Sequence, residues 1–262
     1  MCQVEVLTLK HRIDVAAGRT PADLKLTGGR VVSVFSGSII KTDVAIADGV
    51  IVGFGDYHAR RTIDLKGKYL AAGLIDSHIH IESSMLSPQE FARAVVPRGT
   101  TAVIADPHEI ANVMGSRGIR WMIHASEGLP LDIYFGLPSC VPATNMETSG
   151  ARLDAKALKE FIDHPRIVAI GEVMDYPGVI AGRKDLLEKI RLKRGLRVDG
   201  HAPGLTGKDL NAYIAAGIYS DHESTKAAEA SEKLGKGMHV MIREGTTEKN
   251  LKELAKIVTP AN

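Results

Sequence analysis

Beyond residue 70 the chain repeats one arrangement. A short apolar run is followed by a polar or charged group, then by a stretch with helical spacing. The runs that read as strands are Gly73–His80, Thr101–Ala105, Asp132–Leu137, Ile167–Glu172, Arg197–His201, Gly217–Asp221 and Met238–Arg243. Helices are expected at Pro88–Val96, Ala111–Ser126, Ala155–Asp163, Lys184–Arg194, Gly207–Ala216, Lys226–Leu234 and Glu248–Ile257. Strands alternating with helices build a parallel sheet whose crossovers cover its faces. Seven such units fall one short of an eight-stranded (β/α) barrel. The expected fold is α/β: a (β/α)8-type barrel over residues 71–262, incomplete at its C-terminus.

Residues 1–70 follow a different pattern. A short helix is expected over residues 5–18, with Gly18 as its stop and Thr20-Pro-Ala-Asp23 opening the next segment. From Leu24 to Leu70 the pattern is β, with strands at Leu24–Thr27, Val31–Phe35, Asp43–Ile46 and Val50–Gly53. Asp48-Gly49 reads as a hairpin turn between the last two. Gly28-Gly29 is no phosphate cradle, because no helix follows it. This is a small N-terminal β module without chemistry of its own.

A barrel of this kind keeps its reactive groups at the C-terminal ends of its strands. The first end is Gly73-Leu-Ile-Asp-Ser-His-Ile-His-Ile-Glu-Ser-Ser84. Residues two apart on a strand share a face, so Asp76, His78, His80 and Glu82 are expected on one side and Ile75, Ile79 and Ile81 on the other. A bare His-x-His also fits two satisfied core histidines. Later strand ends favour ligands: Asp106-Pro-His-Glu109, Gly171-Glu172, Asp199-Gly-His201, Asp221-His222-Glu223 and Arg243-Glu244. Singly, such residues are common in turns. In succession they indicate a metal site. The remaining histidines fit plainer places: His11, His58 and His164 exposed, His124 within a helix, and His239 at the wrong end of its strand. Cys140 lacks a paired base that would make it a nucleophile.

Composition excludes several classes. A formal charge of +2 offers no electrostatic case for nucleic acid or an anionic membrane. Cys2 and Cys140 are the two cysteines, too few for a disulfide framework or a four-cysteine zinc site. No apolar segment has signal-peptide form or the roughly 18 residues of a membrane span. A cytoplasmic location is expected.

These residues resemble the amidohydrolase superfamily, and within it the adenine deaminases of bacteria and archaea. The superfamily part is Gly73-Leu-Ile-Asp-Ser-His-Ile-His80 after a small β module, with further histidines ending strands five and six. The narrower part is His80-Ile-Glu-Ser-Ser84, Arg98-Gly-Thr-Thr101, Ala105-Asp-Pro-His-Glu-Ile-Ala-Asn112 and Leu137-Pro-Ser-Cys-Val-Pro-Ala-Thr144. It continues in Glu147-Thr-Ser-Gly150, Val198-Asp-Gly-His-Ala-Pro-Gly204, Ser220-Asp-His-Glu223 and Met241-Ile-Arg-Glu-Gly245. The resemblance implies a binuclear divalent metal centre, manganese or iron with zinc as a third candidate, that deaminates adenine to hypoxanthine in purine salvage. His78 and His80 are implied to hold one metal, His201 and His222 the other, and Glu172 to bridge them where dihydroorotase-like relatives use a carbamylated lysine. Asp106, His108, Glu109 and Glu82 are the implied substrate contacts or proton-transfer groups.

The pattern also departs from that family. The eighth strand and its metal-binding aspartate are missing, as are the C-terminal strands that complete the β module into a composite sandwich. One reading is a deaminase part completed by a second polypeptide; another is a non-catalytic fragment that binds metal. A third is an amidohydrolase for another cyclic amide or amidine, against which the absent strand-four lysine counts. A homo-oligomer is expected.

Overall fold

A computed structural model describes residues 2–192, 194–246 and 248–260. The chain divides into two compact units, residues 1–73 and 74–262.

The first unit opens with helix α1 (Cys2–Ala16). Gly18 follows it at φ +72°, where a residue without Cβ turns the chain away. Seven strands follow: β1 (Ala22–Thr27), β2 (Arg30–Ser33), β3 (Ser38–Lys41), β4 (Val44–Ala47), β5 (Val50–Phe54), β6 (Ala59–Asp64) and β7 (Tyr69–Leu70). They form a four-stranded sheet ordered β5-β4-β1-β6 and a three-stranded sheet ordered β3-β2-β7. Asp48 and Gly49 take φ of +50° and +72°, as the two-residue hairpin turn requires. Val15, Ala22, Ala45 and Ala47 make a small core.

In the second unit, β8 (Leu74–Ile79), β9 (Thr100–Ala105), β10 (Asp132–Leu137), β11 (Ile167–Val173) and β12 (Arg197–Gly200) run parallel in the order β12-β11-β10-β9-β8. The apolar runs of β9 to β11 suit strands buried on both faces. Val103, Ala105, Ile133, Phe135, Leu137 and Ile170 are fully buried. β13 (Ser220–Asp221) and β14 (His239–Val240) pair in parallel as a separate ladder, joined towards β12 by the Tyr219 amide donating to Val198 O. Among the described strands, β8 pairs with β9 alone, and Leu74 and Ile75 stand 62% and 68% exposed. The parallel strands bear out the expected incomplete (β/α) barrel.

Several expected elements change length. Strands six and seven shrink to two residues each; Gly217, at φ +101°, keeps the start of the sixth out of extended backbone. Just past β14 the Met241 amide still donates to Asp221 O, and the Arg243 amide then donates to Asn250 Oδ1. The single helix expected at Ala111–Ser126 is two, α3 (His108–Met114) and α4 (Ser116–Ala125), broken at Gly115, whose φ +59° and ψ −142° favour glycine. The others are α2 (Pro88–Val95), α5 (Ala155–Lys159), α6 (Tyr176–Ile180), α7 (Lys184–Ile190), α8 (Gly207–Ala215), α9 (Ala227–Gly235) and α10 (Leu251–Leu254). Lys193, within the helix expected at Lys184–Arg194, lies outside the described residues. Among the described residues, no helix is long and apolar enough to cross a membrane.

Candidate metal centre

Every residue singled out at the strand ends lies in the second unit, and the centre is built outwards from β11. A Cβ on Gly171 would lie 2.3 Å from Asp106 Oδ2. Glycine there lets Asp106 approach, and the Glu172 amide donates to that oxygen at 2.8 Å. The Glu172 side chain is buried and faces four imidazoles. Its Oε2 accepts from His201 Nδ1 at 2.6 Å and His222 Nε2 at 2.9 Å. Its Oε1 lies 3.3 Å from His80 Nε2 and 3.1 Å from His108 Nδ1.

The strand β8 histidines are fixed through their rings. His78 Nδ1 donates to Asp199 Oδ2 at 2.7 Å, and His80 Nδ1 donates to the Asp106 carbonyl at 2.9 Å. A carbonyl can only accept, and Asp199 is ionised: burial pulls its carboxyl up, but His222 and His78 hold it well below the usual range. In the neutral form of either ring the proton therefore sits on Nδ1 and Nε2 is left bare. Those two Nε2 atoms face each other at 3.1 Å. Two lone pairs so close repel unless a proton or a cation lies against them.

The second pair is fixed differently. A Cβ on Gly200 would meet Ser220 O at 2.2 Å, so glycine lets the ends of β12 and β13 close together. The His201 amide donates to Tyr213 Oη at 3.1 Å, and that hydroxyl donates to Val173 O at 2.7 Å. Buried Tyr213 thus joins the ends of β11 and β12. His222 stacks on His78 with ring centroids 3.7 Å apart.

Glu82 leaves the strand that was expected to align it with His80. It opens a 3-10 turn (Glu82–Ser84), and its Oε1 accepts from the Ile110 amide at 3.2 Å. Ile75 likewise is exposed rather than packed beneath the strand. Glu109 accepts from Ser83 Oγ. Glu82 Oε2, Asp106 Oδ1, His108 Nδ1 and His222 Nδ1 are buried with no hydrogen-bond partner among the described residues. Burial raises the Glu82 carboxyl. Burial also opposes charge on His108 and His222, yet neighbouring carboxylates outweigh it: Asp106 and Glu172 push His108 up to about 11, and Asp199 and Glu172 push His222 up to about 10. Glu172 stays well below the carboxylate range despite burial, because His108, His201 and His222 surround it. His80 is lowered, chiefly by burial.

Among the described residues of the second unit, three clusters bring ligand atoms within 4.8 Å of one another: His78, Glu172 and His222; His80, His108 and Glu172; and His201, His222 and Glu223. Imidazole nitrogens with bare lone pairs, a shared ionised carboxylate and orphaned polar atoms form a donor set that fits divalent cations. Asp199 and Glu223 had no assigned role in the sequence reading. Asp199 stands two residues before His201, so strand alternation was the available signal. Glu223, 3.7 Å from both His201 Nδ1 and His222 Nε2, is held by Arg243 at 2.8 Å. Of the remaining histidines, His58, His124 and His239 are exposed, whereas His11 and His164 are half-buried, paired with Asp48 and with the Arg166 amide. Cys140 is buried.

This fold and this cluster are those of an amidohydrolase: the amidohydrolase family matches residues 69–259, and the chain belongs to it. It is 53% identical over 246 residues to "Adenine deaminase 2" of Carboxydothermus hydrogenoformans, covering 94% of this chain and 43% of that protein. It is 52% identical over 256 residues to the "Adenine deaminase" of Nitratidesulfovibrio vulgaris (strain DP4), covering 97% of this chain and 44% of that protein. The chain thus spans less than half the length of these curated relatives. Among solved structures, the N-acyl-D-glutamate deacylase of Bordetella bronchiseptica, complexed with zinc and a phosphonate inhibitor, shares the fold. Its TM-score is 0.57 at 16% identity, over 84% of this chain and 58% of that one.

Proposed function

We propose that this chain carries the metal-holding part of an adenine deaminase, which converts adenine and water to hypoxanthine and ammonia. The observation that carries the reading is Glu172, one buried carboxylate facing His80, His108, His201 and His222 from four strand ends. The relatives' names support the substrate. His78 and His80 would hold one divalent ion, His201 and His222 the second, and Glu172 both, with manganese or iron the expected metals. Such ions, when bound, supply the Lewis acidity that makes water a nucleophile near neutral pH.

The chain's other residues handle the purine and its protons. Glu82, whose buried carboxyl is raised and whose Oε2 is unpartnered, is suited to hold a proton for a ring nitrogen. His108, beside Asp106 at the end of β9, is placed to exchange one with the departing amine. Asp106 orients His108, and Glu109, fixed by Ser83, borders the purine. A purine-salvage enzyme of this kind belongs in the cytoplasm. A homo-oligomer and a second polypeptide supplying the rest of the relatives' length belong to the same proposal.

The test is ammonia release from adenine by the chain loaded anaerobically with Fe(II) or Mn(II), alone and with the remaining length of a relative added in trans. Release in either arm that vanishes in His78→Ala/His80→Ala supports the reading. Metal-loaded, folded protein that releases none in both arms contradicts it.

A further inference from the structure

Lys233 is a lysine on helix α9 with no exposed surface, and the chemistry above does not use it. Its Nζ lies against four acceptors: Ala202 O at 2.7 Å, Glu229 Oε1 at 2.8 Å, Asp221 Oδ2 at 2.9 Å and Ser224 Oγ at 3.0 Å. Glu229 and Asp221 are themselves buried. Burying an ammonium with two carboxylates is rarely the cheapest way to fill a core. Such a cluster calls for a role beyond packing, and its position supplies one.

Ala202 directly follows His201, and Asp221 directly precedes His222. The Ala202 peptide is held on both sides: its amide donates to Asp221 Oδ1 at 2.9 Å, and its carbonyl accepts from Lys233. Asp221 Oδ2 also accepts from the Glu223 and Ser224 amides at 3.2 and 3.0 Å and from Ser224 Oγ at 2.8 Å. The backbone on either side of His222 is thereby wrapped round the same carboxylate. Glu229 in turn accepts from the Gly204 amide at 2.8 Å. One ammonium thus ties the turn after β12 to the turn after β13.

We propose that Lys233 is the positioning residue for the second histidine pair: it fixes the spacing of the His201 and His222 backbones so that both rings reach Glu172 Oε2. The inference rests on the metal-centre reading. Outer-shell partners of metal ligands typically set affinity by about 10- to 100-fold, and the same range is expected here. Arginine keeps the charge but replaces a compact point charge with a wide planar fork, so it should restore folding without restoring geometry.

The experiment is Co(II) titration of the metal-stripped chain, read by visible d–d absorption and by chelator competition. It compares wild type, Lys233→Met, Lys233→Arg and Leu158→Ala, the last a core truncation on α5 that controls for lost stability alone. The expected result is a roughly 10- to 100-fold loss of Co(II) affinity with an altered d–d band in the Lys233 variants, and an unchanged band in Leu158→Ala. If Lys233→Met does not fold, Lys233→Arg carries the comparison. Wild-type affinity and an unaltered band in a folded Lys233 variant would overturn the positioning role. Wild type that takes up no Co(II) overturns the metal-centre reading instead, an outcome visible without any variant.

Discussion

The two histidine pairs converge on one carboxylate by opposite means: His80, His201 and His222 contact Glu172, and His78 has a ligand atom within 4.8 Å of it. His78 and His80 are held by their rings: each Nδ1 has a fixed acceptor, Asp199 or the Asp106 carbonyl, and each Nε2 is left bare. His201 and His222 are held by their backbones, through Tyr213, Asp221 and Lys233, while their rings rest on Glu172. Side-chain anchoring fixes a tautomer; backbone anchoring fixes a distance. The proposed centre, with two cations side by side, would need both.

The largest effect should come from the group that belongs to both halves. Glu172→Gln keeps the shape but removes the shared charge. It should weaken divalent-ion binding by more than the roughly 100-fold upper range of outer-shell changes, measured as metal retained after dialysis against a chelator. Loss of one ion with the other retained would show that the halves are not joined there. Asp199→Ala should follow, at about 10- to 100-fold, because His78 loses the acceptor that fixes its tautomer. Chelator competition measures this, and a change below threefold would remove Asp199 from the account.

Titration of the metal-stripped chain distinguishes the halves further. In the folded chain His222 titrates at about 10 and His108 at about 11, against an ordinary value near 6.5. The folded state binds these protons more tightly than the unfolded state. Their contribution is therefore complete below about pH 6.5 and is lost as pH rises through about 10 to 11. Urea midpoints of the metal-free protein should fall from pH 7 to pH 10.5, and Glu172→Gln should flatten that decline. A smaller change is expected of Ser220→Ala, which removes the 2.7 Å hydrogen bond from Ser220 Oγ to Asp199. A bond to a charged acceptor contributes about 2 kcal/mol. Thermal melts should register that loss with metal affinity changed by only a few-fold.

How much of this was readable beforehand differs between the same two halves. The β8 pair follows from strand alternation alone, because His78 and His80 must share a face. Strands β9 to β12 are legible as apolar runs, and their ends fall where a barrel keeps polar groups. Asp199 was visible by the same alternation, two residues before His201. The backbone clamp was not. Lys233 sits in an ordinary charged helix, Ala227–Gly235, and only packing against two loops removes it from water. The break at Gly115 and the late start of strand six depend on φ values above zero, which a pattern of apolar residues does not encode. Glu82 leaves its strand because its carboxylate reaches the Ile110 amide, a partner 28 residues away.

The central claim is that both pairs share Glu172 and so hold two ions as one centre. Electron paramagnetic resonance of the Mn(II)-loaded chain tests it most directly. Two ions bridged by one carboxylate should give a broad, exchange-coupled spectrum at full loading, replaced in Glu172→Gln by loss of bound metal. A six-line spectrum of isolated Mn(II) at every loading would contradict the shared centre.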